Sequence, residues 1–339
     1  MVNMQFTDKN SKSTSLVRLI GIPNICEPTL KLESDSIPSF LTTAEQNKIP
    51  LLFLKTATYN IKNHDIQHIL SQYEKKHKNT LDLIASTAKL LEKINVRYTF
   101  FKTLKPFPHA PSDIDVLLWS NENLRTVIEA LKSQGCIPLE KSTYGVTMFS
   151  PKHKMNVDLT TQIAVSGLIY VNRELLFSCI SQVEICGKTV QTLKPSTDLL
   201  VVAAHSIFKE QTYTLSDYYT FVMLTQYWKE AAKLAKKLHL KHAFDKVLKM
   251  AEAMTMIAFG SANPLMKSFE EVGVTNAEEL TGQDFELPKK YDLATLAVAF
   301  LKKIKDDPMS KKSLFHMAQS ASHPAFYKKV VKHATRKTY

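Results

Sequence analysis

The sequence predicts an α+β fold: a small mixed β-sheet with packed helices, followed by a mostly helical C-terminal domain. Three observations predict it. Apolar residues recur at helical spacing before residue 95, short β-branched and aromatic segments fill residues 96–195, and helical spacing returns from Ser196. Apolar residues make up 44% of the 339 residues, which is enough to build a substantial core and makes wholesale disorder unlikely.

The segment before the sheet is expected to be helical. Apolar residues after Asp65 recur at i, i+3, i+4 and i+7, which predicts one helix. A second helix is expected from Asn79, a suitable N-cap, to about Asn95. For residues 1 to about 50, short strands and packed helical turns fit the sequence equally well.

The central segment is expected to contain the sheet. The stretch VRYTFFK, residues 96–102, predicts a strand, the proline-rich TLKPFPHAPS a loop, and DIDVLLW a second strand. NENLRTVIEALKSQG predicts a helix that stops at Gly135, and CIPLEK a possible short strand. Two hairpins are predicted after it, VTMFS-PKHK-MNVDLTTQI and QVEI-CG-KTVQTL.

These patterns divide the chain into three parts. Residues 1–60 form an N-terminal extension of unclear structure, residues 61–195 the sheet core with its preceding helices, and residues 196–339 a helical domain. The helical domain ends in a basic tail from Lys328, which either binds a phosphate backbone or is simply solvated.

Composition restricts the class of protein. The net charge of +12 favours a polyanionic partner such as a nucleotide or RNA, with a lysine-rich solvated surface as the equal alternative. The chain has 8 glycines and lacks the two common glycine-rich nucleotide loops. It has no apolar run long enough to span a membrane, no signal-peptide pattern and no C-x-x-C among its four cysteines. We therefore expect a cytoplasmic protein with reduced cysteines and no membrane partner.

Two carboxylates at the start of a predicted strand suggest a metal site. Asp113 and Asp115 point to the same side of the strand, because side chains alternate between its faces. Carboxylates this close repel each other unless a cation lies between them. A hard divalent ion such as Mg²⁺ or Mn²⁺ prefers oxygen ligands and keeps positions for substrate phosphates. The alternative is a pair at a turn, left in water.

A third carboxylate is expected beside this pair. Asp158 is the only acid in the strand MNVDLTTQI, and it shares the polar face with Asn156 and Thr160. One helix and one hairpin turn separate this strand from the first, so the two strands are expected to be neighbours. Taken alone, Asp158 reads as a surface strand residue.

The motifs SDIDVLL, NVDL, LKPSTDLLVVAAHSIF and TLSDYYTFVM resemble the nucleotidyltransferase superfamily of the DNA polymerase beta type, over residues 80–225. They look most like its uncharacterised bacterial and archaeal families. The resemblance implies an enzyme that moves NMP from an NTP, ATP among the candidates, to an acceptor hydroxyl of RNA, a protein or a small molecule. It implies Mg²⁺ on Asp113 and Asp115, with Asp158 as a further ligand or as the group that activates the acceptor.

One motif departs from the family pattern. Lys102 and Thr103 stand where the family has Gly-Ser or Gly-Gly. Thr103 and Lys102 are candidates to bind phosphate, and Ser112 to position the loop or cap a turn. A residue larger than glycine limits the approach of the backbone to the phosphates. The alternative function is therefore a catalytically degraded fold that binds nucleotide or RNA, or acts as a scaffold.

Two polar residues of the helical segment are expected to be structural. His205 lies on an apolar helix, and Asp217 is its possible hydrogen-bond partner on the next helix.

Overall fold

The computed structural model describes residues 11–57, 63–274 and 285–320. The α-helices in these ranges are α1 (Lys12–Ile20), α2 (Ile37–Gln46), α3 (Pro50–Ala57), α4 (His64–Lys93), α5 (Asn121–Ser133), α6 (Arg173–Phe177), α7 (Pro195–His205), α8 (Leu215–Val222), α9 (Trp228–Lys237), α10 (Lys241–Phe259), α11 (Leu265–Glu271), α12 (Leu293–Asp306) and α13 (Pro308–Ser320). The β-strands are β1 (Tyr98–Phe100), β2 (Asp113–Leu118), β3 (Ile137–Lys141), β4 (Gly145–Ser150), β5 (Met155–Thr160), β6 (Ile163–Val165), β7 (Leu168–Val171), β8 (Ile180–Ile185), β9 (Lys188–Leu193), β10 (Thr212–Tyr213) and β11 (Lys289–Lys290).

Seven strands form one mixed sheet in the order β3-β4-β5-β2-β1-β9-β8. The β2–β5 and β1–β9 pairs are parallel and the other pairs are antiparallel. The predicted α+β class and mixed sheet are therefore confirmed. β1 is shorter than the predicted strand over residues 96–102, because Lys102 has a φ of 49° and turns the chain out of the extended conformation.

The sheet buries one face in an apolar cluster. Ile114, Val116 and Leu118 of β2 pack there with residues of α4 and α5, and β5 adds Val157 and Leu159. The other face of the two strands carries the polar residues, as the alternation predicts. The sheet thus presents its carboxylates to the helices of the C-terminal half.

The two helices predicted before the sheet are one continuous helix, α4, so the predicted break at Asn79 is wrong. Its N-cap is Asn63, whose side chain accepts hydrogen bonds from the backbone N–H groups of Asp65 and Ile66. The first turns pack on α3 and the last turns on the sheet. Between them the helix is mostly solvent-accessible, so the apolar period lapses there without ending the helix.

The N-terminal residues that the sequence left open form α1, α2 and α3. Leu16 and Phe53 pack in the same apolar core as Phe221 of α8 and Phe244 of α10. Asn47, which is buried after α2, donates to the Leu287 carbonyl at 2.8 Å and accepts from the Leu215 N–H at 3.0 Å. The predicted boundaries at residues 60 and 195 remain predictions.

The helical character predicted from Ser196 is confirmed, with Asp198 as the acid in the first turn of α7. A π-helical turn, Ser206–Glu210, follows α7 and ends at Gln211, which is left-handed. All four cysteines are free thiols. Within the described ranges, no helix is both long and apolar enough to cross a membrane. The basic tail from Lys328 lies outside the described residues.

Candidate functional site

Three carboxylates come together on the polar face of the sheet. β2 and β5 run parallel, and Asp115 is level with Asp158 in their register, two residue pairs on from Asp113 and Asn156. Neighbouring strands lie about 4.8 Å apart, and residues two apart share a face. The predicted placement of Asp158 beside the pair is confirmed.

The carboxylates already have partners within the chain. Asp158 accepts a hydrogen bond of 2.7 Å from the Thr147 hydroxyl on β4. Asp113 accepts one of 3.3 Å from the Ser112 hydroxyl. Among the described residues, no group of three or more His, Cys, Asp and Glu side chains is arranged as a formed metal site. The roles of the three acids as metal ligands therefore remain predictions.

Lys102 contacts Asp115 directly. Its ammonium Nζ lies 3.0 Å from Asp115 Oδ2, and both side chains are largely buried. The same Nζ lies 3.2 Å from His205 Nε2. The Lys102 backbone N–H donates to Asp198 Oδ1 at 2.6 Å, which ties this left-handed residue to the first turn of α7. Lys102 thus turns toward the carboxylates.

Thr103 uses its hydroxyl to support β2. The hydroxyl accepts a hydrogen bond of 2.9 Å from the Asp115 backbone N–H and donates to the Phe101 carbonyl at 3.1 Å. Both Thr103 and Ser112 line the same cavity as the carboxylates. Phosphate binding by Thr103 and the role of Ser112 in positioning the loop remain predictions.

His205 lies in this site, and its predicted hydrogen bond with Asp217 does not form. Its ring nitrogens are 3.2 Å from the Tyr170 hydroxyl and 3.1 Å from Glu210 Oε1. The π-helical turn brings Glu210, five residues on, back to the ring. Asp217 instead caps α8 by accepting from the N–H and hydroxyl of Thr214.

A cavity of about 460 Å³ opens in front of the carboxylates. This is within the range of small-molecule sites. Its charged and titratable lining comprises four lysines, two histidines and five carboxylates: Lys48, Lys76, Lys102, Lys105, His109, His205, Glu45, Asp113, Asp115, Glu210 and Asp217. Both signs of charge therefore face one small-molecule-sized space.

Burial and neighbouring charges shift the titration of the carboxylate end. Burial raises the pKa of Asp115 to about 6; Asp113 and Asp158 add to the rise, and Lys102 opposes it. Burial also acts to lower the pKa of Lys102, but the carboxylates of Asp115 and Asp113 outweigh it, so this pKa is raised. The ammonium is therefore charged at neutral pH.

The other end of the cavity is electropositive around one histidine. Burial first, and then the charges of Lys105, Lys76 and Lys48, lower the pKa of His109 to about 3. Burial lowers the pKa of Lys105 too, although the carboxylate of Asp217 acts against it. A neutral imidazole among lysines indicates a positive potential suited to an anion.

Sequence reasoning missed the lysines at this end. Lys105 and His109 lie in the proline-rich loop immediately before the D-x-D strand, and this charged loop was the available signal. Lys76 lies on the polar middle of α4, and Lys48 between α2 and α3. Neither carries a local motif.

Comparison with known proteins identifies part of the chain. Residues 110–255 match the family model described as uncharacterised nucleotidyltransferase. The resemblance to nucleotidyltransferases is confirmed. The match covers less than half of the chain and includes Asp113, Asp115, Asp158 and His205, whereas Lys102 lies before it.

One solved structure was also found, the antibiotic-resistance factor ANT(2'')-Ia. It is 14% identical, with a TM-score of 0.33, and the alignment covers 52% of this chain and 92% of the other. A search of curated proteins finds no match. The family match supports nucleotidyl transfer as the general class of activity.

Proposed function

We propose that this protein transfers a nucleoside monophosphate from an NTP to an acceptor hydroxyl, using a divalent cation. The observation that carries the proposal is the polar face of β2 and β5. Asp113 and Asp115 line a cavity that lysines also line, and Asp158 is level with Asp115 on the neighbouring strand. A metal–NTP complex has a divalent cation and a polyanionic tail. The carboxylates suit the divalent cation, and the lysines suit the polyanionic tail.

The donor chemistry of this face fits Mg²⁺ or Mn²⁺. All three side chains offer only oxygen, and the charges of Asp113 and Asp158 act on the buried Asp115. Asp113 and Asp115 would hold the ion, and Asp158 is left for the acceptor hydroxyl. When bound, the ion would neutralise charge that develops on the transferring phosphoryl group.

The protein's own groups have separate tasks in this proposal. Lys105, Lys76 and Lys48 bind the phosphates through charge-assisted hydrogen bonds and orient the α-phosphorus toward the sheet. The acceptor hydroxyl forms a new bond to that phosphorus, the bond to the pyrophosphate breaks, and the hydroxyl proton passes to a carboxylate. Asp158 is our candidate for that base.

The acceptor is an RNA or another polyanion in our proposal, because the chain carries a net charge of +12. A protein side chain and a small molecule are the other candidate acceptors. A cytoplasmic site of action and an NTP such as ATP complete the proposal.

One observation favours a second candidate function, nucleotide or RNA binding without transfer. Lys102 already neutralises Asp115, and no formed metal cluster exists among the described residues. In this case the cavity would bind the nucleotide through its lysines, and the acids would only support the fold.

A labelled-transfer assay distinguishes the two functions. Each α-labelled NTP is incubated with Mg²⁺ or Mn²⁺ and separated RNA, protein and metabolite fractions. Label should appear in one fraction, fall by at least about 100-fold in Asp113→Ala and Asp158→Ala, and persist in Glu129→Ala, an exposed acid on α5. NTP binding without transfer would establish the binding function, and the absence of both would reject the two proposals together.

A further inference from the structure

Lys102 lies in a conformation that the protein imposes on it. Its φ of 49° is left-handed, a conformation that is unfavourable for a residue with a side chain. The Asp198 carboxylate holds the Lys102 N–H in this conformation at 2.6 Å. Anchoring the backbone limits the directions that the side chain can take, and it extends into the cavity.

The Lys102 ammonium satisfies the most buried of the three acids. Nζ is 3.0 Å from Asp115 Oδ2, with side-chain exposures of 16% and 10%. His205 Nε2 also lies 3.2 Å from Nζ. A buried carboxylate requires a partner, and here the partner is a cation of the chain itself.

We infer that Lys102 is a resident counter-ion of Asp115 that competes with divalent cations, so that the free protein binds a metal ion weakly and acquires it together with the nucleotide. A divalent ion that uses Asp115 must displace the ammonium or share the carboxylate with it. The nucleotide supplies phosphate oxygens to the displaced ammonium, so its binding favours metal binding. The nucleotide part of this inference rests on the proposed function.

Mn²⁺ binding to the full chain tests the inference, with free Mn²⁺ measured by electron paramagnetic resonance in the absence of nucleotide. Lys102→Met should bind Mn²⁺ at least about tenfold more tightly. A positive charge beside a cation site disfavours the bound cation, just as it disfavours the charged form of a titrating cationic group, and this variant removes it. Asp115→Asn alone should change the affinity less than about threefold, and it should abolish the gain when combined with Lys102→Met. Lys233→Met is the control, since it removes a lysine charge from the exposed face of α9 and should leave the affinity within about threefold.

Two results would overturn the inference. One is a Lys102→Met variant that is folded by circular dichroism and binds Mn²⁺ no more tightly than the unmodified chain. The other is a loss of tenfold or more in Asp115→Asn alone, which would make Asp115 a metal ligand of the free protein. A tenfold loss in Asp115→Asn would reject the inference even if Lys102→Met does not fold.

A second arm adds ATP to the same titrations. ATP should raise the Mn²⁺ affinity of the unmodified chain more than that of Lys102→Met, and an equal rise would contradict the coupling. Absence of ATP binding would reject the proposed function and the coupling. The nucleotide-free titrations of Lys102→Met, Asp115→Asn and the double variant would still test whether Lys102 is the counter-ion of Asp115.

Discussion

Asp198 joins the helical part of the chain to the strand end that carries Lys102, and its removal should be costly. Asp198 Oδ1 accepts the Lys102 N–H at 2.6 Å, and the residue lies in the first turn of α7. A hydrogen bond to a charged acceptor contributes about 1.5–3 kcal/mol, and an acid at a helix N-terminus about 0.3–1 kcal/mol. We expect Asp198→Ala to lower the free energy of unfolding by about 2–4 kcal/mol. Asp198→Asn, which keeps an acceptor oxygen, should cost roughly half as much.

Urea denaturation followed by circular dichroism measures these differences. The control is Asp245→Ala on α10, which removes an acid paired with Lys241 at i,i+4 and should cost about 0.5 kcal/mol or less. If Asp198→Ala were no more costly than this control, Asp198 would not hold the Lys102 backbone, and the reasoning for an imposed conformation would be refuted.

Three further predictions concern the cavity and the sheet. Lys105→Met should weaken ATP binding about tenfold in isothermal titration calorimetry, whereas Lys233→Met, on the exposed face of α9, should not change it. Burial raises the pKa of Asp115 to about 6. The protonated acid therefore stabilises the fold below its ordinary pKa. This contribution is lost as the pH rises through about 6, where Asp115 becomes ionised. Metal-dependent ATP binding should therefore rise between about pH 5 and pH 7, and a rise of equal size in Asp115→Asn would contradict the assignment. Gly145→Ala should lower the free energy of unfolding by about 1–3 kcal/mol, because its Cβ would lie 2.2 Å from the Leu159 carbonyl oxygen on β5; an unchanged thermal midpoint would show that β4 can shift freely.

The carboxylate face could be predicted because it depends on a local rule. The two-residue period of a strand decides that Asp113 and Asp115 share a face, and the apolar alternation around Asp158 does the same for β5. The expected adjacency of the two strands rested on the one helix and one hairpin turn between them. The register that makes Asp115 level with Asp158 required the structure.

The lysine end could not be predicted because it depends on packing between distant segments. Lys48 and Lys105 meet around His109 only because the N-terminal helices fold against the helical part of the chain. The same packing explains the error at Asn79. The surroundings of α4 change from helices to sheet along its length, so the apolar period stops and restarts within one helix.

The π-helical turn after α7 makes the site depend on the direction in which each side chain leaves the helix axis. In an α-helix, residues five apart face directions about 140° apart, so Glu210 would point away from the His205 ring. The wider turn removes this offset, and the left-handed Gln211 then ends the helical path. The His205–Glu210 contact is thus encoded by the number of residues in the turn as much as by their identity. Deletion of a single residue here would separate the pair with neither side chain altered.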